Sequence, residues 1–196
     1  MRHMSRSLCV LALALVLAAC GGGKAPPRNL DDACSIAKQR PKYIKAFKKT
    51  ERKWGVPVPV QMATIYQESK FDKDARTPFR YALGVIPMGR QSSAFGYGQA
   101  LDATWDNYRK STGRRSAKRD NIKDASDFVG WYMNETKKKN GVSLSDARNQ
   151  YLAYHEGHVG YARGTYRSKT WLVRVADSVQ ARANVYSAQL ANCRAY

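Results

Sequence analysis

TWLVRVADSVQARANVYSAQL, residues 170 to 190, carries Leu172, Val175, Ala176, Val179, Ala183, Tyr186 and Leu190 at spacings of three and four. Apolar residues at that interval fall on one side of a 3.6-residue helix, so the stretch predicts a long amphipathic helix with one face on a core. The same pattern continues upstream. Pro41 suits a first helical turn, and Tyr43, Ile44, Phe47 and Trp54 form an apolar stripe that Gly55 ends. Pro59 opens a second helix that carries Val60, Ala63 and Ile65 and reaches Glu68. A third begins near Asp102 with Trp105 and Tyr108, and a longer one holds Phe128, Trp131, Tyr132 and Met133. Ser143 with Asp146 reads as a capping-box start for a helix through Ala147, Tyr151 and Leu152. Between Pro78 and Gln91 the periodicity fails, and Tyr81 to Met88 fits a short hairpin. The expected fold class is mainly α with a short β-hairpin region.

The amino terminus bears on compartment. Arg2 and Arg6 precede a mostly apolar run from Cys9 to Ala19, too short for a finished membrane span and suited to a secretory signal. Leu17-Ala18-Ala19-Cys20 resembles the lipobox of bacterial lipoproteins, which implies cleavage before Cys20 and its lipidation; an ordinary signal peptide is the alternative. Gly21, where an aspartate would mark inner-membrane retention, implies the outer membrane, with the domain facing the periplasm. The expected organisation is a signal peptide at 1–19, a lipidated cysteine and tether at 20–40, and one domain at 41–196. GGGKAPPRN, residues 21 to 29, mixes flexible glycine with a stiff proline pair, as a tether would.

Of the four cysteines, Cys9 leaves with the signal and Cys20 takes lipid, so Cys34 and Cys193 remain. In an oxidising compartment they are expected to pair, two free buried thiols being the alternative. The formal net charge is +19, falling to +17 once Arg2 and Arg6 are removed. Such a field attracts anions. Export argues against nucleic acid and for anionic wall polymer or lipid headgroups, although the basic run from Arg109 to Lys123 also fits a plain solvated loop. A monomer is expected.

Glu68 is the strongest candidate for chemistry. Ile65, Tyr66 and Phe71 can desolvate its carboxyl and raise its pKa, so that it can donate a proton to a leaving oxygen. Ser69 adds a hydroxyl. In GYGQ, Gly96 and Gly98 permit close backbone approach, Tyr97 offers a ring face, and Gln99 offers an amide donor and acceptor. AYHEG, residues 153 to 157, adds Tyr154 and His155. His155 and His158 together supply only two metal ligands, and no metal or cofactor is expected.

Glu68-Ser69, GYGQ and AYHEG, in that order, resemble the motifs of the lytic transglycosylases with a lysozyme-like catalytic domain, relatives of the goose-type lysozymes. The family pattern is a catalytic glutamate followed by serine, a segment usually read GLMQ, then AYNxG. The resemblance covers about Val56 to Ala183 and includes WLVRVADSV as the closing helix. Tyr97-Gly98 replaces leucine-methionine here, and His155 replaces the asparagine. The resemblance implies a lysozyme-like helical domain acting on peptidoglycan strands, with Glu68 catalytic and Ser69, Gly96, Tyr97, Gln99, Tyr154 and His155 around the substrate.

The reaction class turns on a second carboxylate. Hydrolysis normally needs one about 5 to 5.5 Å away for retention or about 6.5 to 9.5 Å for inversion. Ala75 to Leu101 contains no Asp or Glu. This favours transglycosylation, with Glu68 as acid and then as base on the sugar's own 6-hydroxyl to give a 1,6-anhydro-MurNAc end. Asp72, Asp74 and Glu156 keep a hydrolase open, and a binding module that does not cut is the reading from another class.

Overall fold

The computed structural model describes residues 25–196. The expected signal sequence and Cys20 lie outside the described residues. Seven helices and one two-stranded antiparallel ribbon make up the described chain: α1 (Ala33–Gln39), α2 (Pro41–Trp54), α3 (Val58–Ser69), β1 (Phe79–Ala82), β2 (Ile86–Arg90), α4 (Asp102–Ser111), α5 (Ile122–Asn140), α6 (Ala147–Arg163) and α7 (Thr170–Ala191). A 3-10 turn, Thr165–Ser168, joins α6 to α7. α5 packs against both α2 and α6, and α7 packs against α3 and α6. The apolar stripe read from residues 170 to 190 is buried at Leu172, Ala176, Val179, Ala183, Tyr186 and Leu190.

Small side chains let α2 and α5 approach closely. A Cβ on Gly130 would lie 2.4 Å from the Thr50 methyl and 2.7 Å from the Trp54 ring, so any larger residue there would push the helices apart. Beside this contact the buried Asp127 accepts from the Tyr108 hydroxyl at 2.7 Å, Lys53 at 3.0 Å and the Trp54 indole at 3.1 Å, and pairs with Arg114 at 2.7 Å. Burial alone would raise its pKa, but these four partners outweigh it and hold the carboxylate ionised.

The structure corrects several details. α3 begins at Val58, with Pro59 inside its first turn. The α6 cap is Asp146, whose carboxylate accepts from Asn149 N–H at 2.9 Å; Ser143 bonds Ser145 instead. Residues 30–40, grouped with the tether from the sequence, pack into the domain. Asp32 caps α1, Ile36 and Ala37 are buried, and the Ala33 N–H donates to Gln189 at 2.7 Å. Cys34 and Cys193 form a disulfide across a separation of 159 residues, worth roughly 5 kcal/mol on the chain-entropy account. A seven-residue helix is too short for periodicity to reveal, which is why sequence alone set the boundary late.

The basic run is not simply solvated. Arg114 pairs with Asp124 as well as Asp127, while Arg119 donates to the Ala100 and Ser93 carbonyls and pairs with Asp102. These arginines fix the loop before α5.

Candidate active site

Glu68 lies in the last turn of α3, partly buried, and the chain reverses directly after it. Lys70 and Phe71 take φ of 53° and 61°, left-handed values that side-chain-bearing residues adopt only when something holds them. Phe71 is buried and stacks on Tyr43 at 6.1 Å. Ser69 donates to the Tyr97 carbonyl at 2.8 Å, with the Ile65 carbonyl at 3.2 Å as its second acceptor. The reversal is therefore pinned on both sides of the carboxyl.

Burial pushes the Glu68 carboxyl up from the ordinary range to about 7. The Tyr151 hydroxyl, which faces it from α6, and the Lys70 charge pull more weakly in the opposite direction. Among the described residues, the groups that act most strongly on it include no carboxylate. Tyr151 and Tyr154 both feel the Glu68 charge, and burial drives both phenols far up. Near neutrality Glu68 thus exists as a mixture of donor and acceptor, the condition for giving and taking back one proton.

The GYGQ loop is held rather than laid open. Gly96 has φ 75°, and a Cβ there would sit 2.3 Å from the Arg119 carbonyl oxygen. Tyr97 is buried, its hydroxyl 2.8 Å from that of Tyr43. Gly98 leaves room for Tyr154, whose hydroxyl donates to the Gly98 carbonyl at 2.5 Å. The Gln99 amide group donates to the Ala75 and Gly96 carbonyls, each at 2.8 Å, so its oxygen is what it can offer a ligand. Ser69, Gly96 and Tyr97, expected against substrate, are buried and committed to protein partners; they position the loop. Buried hydroxyls and glycines had the same sequence signature as exposed ones.

Gln99, Leu101, Tyr154 and His155 line a groove of about 220 Å³. Tyr154 belongs both to this groove and to the surroundings of Glu68. A larger cavity of about 470 Å³, lined by Lys53, Trp54, Trp131 and Lys138, shares no residue with either. His155 sits on the groove rim, edge-on to the half-exposed Trp171 at 5.3 Å and bonded to Glu156 at 3.0 Å. His158 turns elsewhere, stacking on Tyr132 at 4.4 Å and reaching Thr136 at 3.1 Å.

The other acidic candidates are engaged. Burial would raise Glu156, but hydrogen bonds from Lys169 at 2.7 Å, Thr165 and His155 overcome it and hold the pKa at about 2. Asp72 accepts from the Asp74 N–H at 2.9 Å, and Asp74 pairs with Lys73 at 2.8 Å. α6 breaks at Gly157, whose φ of 75° and ψ of 158° suit only glycine, and Glu156 fastens the break to the 3-10 turn. Tyr151, read from the sequence as part of the helix after Ser143, is the residue missed. Its spacing of three from Tyr154 places both on one helix face, the signal that could have found it.

A family model described as a transglycosylase SLT domain matches residues 8–193. No curated protein matches the chain.

Proposed function

The chain belongs to the transglycosylase SLT-domain family, whose members act on peptidoglycan, and on that premise we propose that it forms 1,6-anhydro-MurNAc ends with Glu68 as its single acid and base. Protonated Glu68 donates to the glycosidic oxygen between N-acetylmuramic acid and N-acetylglucosamine, and the C1–O bond breaks. The substrate's own acetamide or ring oxygen carries the positive charge. The Glu68 carboxylate then takes the proton from the sugar's 6-hydroxyl as O6 bonds to C1. One bond forms, one breaks, and Glu68 ends as it began. No water is consumed and no metal or cofactor enters.

The observation that carries this reading is a carboxyl raised to about 7 by burial, with a tyrosine hydroxyl facing it and, among the described residues, no carboxylate among the groups that act most on it. A hydrolytic partner needs to be a free base aimed at water. Glu156 is clamped by three donors, and Asp74 by Lys73. The Tyr151 hydroxyl would stabilise the carboxylate between the two proton transfers. The Gln99 oxygen, Tyr154, His155 and Trp171 supply polar and aromatic surface for the sugars. We also read Cys20 as the lipid anchor that holds the domain in the periplasm, at the outer membrane.

Mass spectrometry of muropeptides after digestion of purified peptidoglycan tests the reaction. Products lighter by one water than those of a lysozyme on the same wall are expected. Reducing N-acetylmuramic acid as the main terminus would assign the chain to hydrolysis, and an undegraded wall would make it a binding module.

A further inference from the structure

We propose that the β1–β2 hairpin is a membrane contact that enters the headgroup region of an anionic phospholipid bilayer. The hairpin packs against no helix, and its strands are exposed along their whole length apart from Ala82. Phe79, Tyr81, Leu83, Val85, Ile86 and Met88 all present apolar surface to solvent, Leu83 at 91% and Val85 at 76% exposure. Leu83 and Gly84 form the turn, both at positive φ, where asparagine or glycine would be the easy choice at the first position. An unpartnered leucine in a left-handed conformation adds nothing to the stability of this domain. Its apolar surface is available to something outside it.

Charge selects the occupant. Arg80 and Arg90 lie on the strands and Arg76 at their base, and no acidic residue occurs between Ala75 and Leu101. Arg90 sits over the Phe79 ring at 4.3 Å, an aromatic and cation pairing suited to the boundary between acyl chain and headgroup. A second copy of the chain would bring the same arginines face to face, on molecules of net charge +17 once Arg2 and Arg6 are removed from the +19 of the full sequence. A glycan would find no hydrogen-bonding side chain at the Leu83–Ile86 tip. An anionic bilayer accepts both features, with phosphates for the guanidinium groups and an apolar interior for the tip. This contact does not rest on the chemistry assigned to Glu68.

Hydrogen exchange of the chain from residue 20 onward, made without the signal and with Cys20→Ser in every arm so that neither the signal nor an acyl anchor contributes, locates the contact. Amides from 80 to 88 should exchange more slowly with vesicles containing phosphatidylglycerol than with phosphatidylcholine alone. The double variant Leu83→Asp/Val85→Asp should weaken vesicle partition by about tenfold or more, the scale set by two lost apolar insertions. Its cleavage of soluble glycan strands should be unchanged. Unaltered exchange at 80 to 88 on phosphatidylglycerol vesicles would overturn the proposal, and this readout needs no variant to fold. Protection of the same amides by soluble peptidoglycan fragments without lipid would overturn it too, making the hairpin a wall of the glycan cleft.

Discussion

Two carboxyls stand at opposite ends of the same chemical scale, Glu68 at the end of α3 and Glu156 at the break in α6. Both are partly buried. Glu68 lies among phenol rings and is raised to about 7, whereas Glu156 lies among a lysine, a hydroxyl and an imidazole and is held at about 2. The desolvation penalty acts upward on both, so burial does not decide the difference. Partners do. A carboxylate with a close cation and further hydrogen bonds becomes a structural tie, and one left short of them keeps a proton it can lend.

The sharpest way to break the contrast is to remove each proton-binding oxygen in turn. Glu68→Gln should lower peptidoglycan cleavage by roughly a hundred- to ten-thousand-fold or more, the range for loss of a general acid, with far-ultraviolet circular dichroism unchanged. Normal cleavage by that variant would remove Glu68 from the mechanism. The same variant should affect stability in the other direction. A carboxyl whose folded pKa is raised to about 7 disfavours the folded state once it is ionised, so wild-type stability should fall as pH rises from about 4.5 through 7. Above pH 8, Glu68→Gln should therefore be more stable than wild type by on the order of a few kcal/mol, and near pH 4 the gap should close. Urea unfolding at the two pH values measures it.

The tyrosine facing Glu68 offers a subtler intervention. Tyr151 lowers the Glu68 pKa, against the larger upward push of burial. Tyr151→Phe should move the alkaline limb of the rate profile to higher pH and reduce the maximal rate by about tenfold, for loss of one hydrogen bond to the ionised form. A rate loss without movement of that limb would mean that the hydroxyl acts only through packing.

Much of this was legible beforehand, and the exceptions have physical reasons. Periodicity found α7 and the apolar stripe of α2, because one buried face imposes a spacing. Motif order singled out Glu68 together with the loops that the structure brings near it. Sequence could not show that the Ser69 hydroxyl is satisfied by the Tyr97 carbonyl 28 residues away, or Tyr97 by Tyr43 across 54. A hydroxyl that binds sugar and one that ties two loops have the same composition. Nor could it pair Glu156 with Lys169, since that contact depends on the break at Gly157 bringing the 3-10 turn back toward α6. The hairpin was visible as lost helical period, but its separation from every helix was not.

The smallest expected effect completes the contrast. Glu156→Gln keeps a side chain of the same shape and an oxygen for Thr165, but loses the charge that Lys169 meets at 2.7 Å. Lys169 is itself 41% exposed, so water screens part of that attraction and the loss should be about 1 kcal/mol at pH 7. The sign of its pH dependence is opposite to that of Glu68. A depressed folded pKa contributes stability above the unfolded value near 4.5 and loses it as pH falls toward about 2, so the difference between wild type and Glu156→Gln should shrink over that window. Cleavage should stay within a few-fold of wild type, because the tie supports the groove rim rather than the reacting atoms. A loss of a hundred-fold or more in a folded Glu156→Gln protein would make Glu156 the second carboxylate after all and move the reaction to hydrolysis.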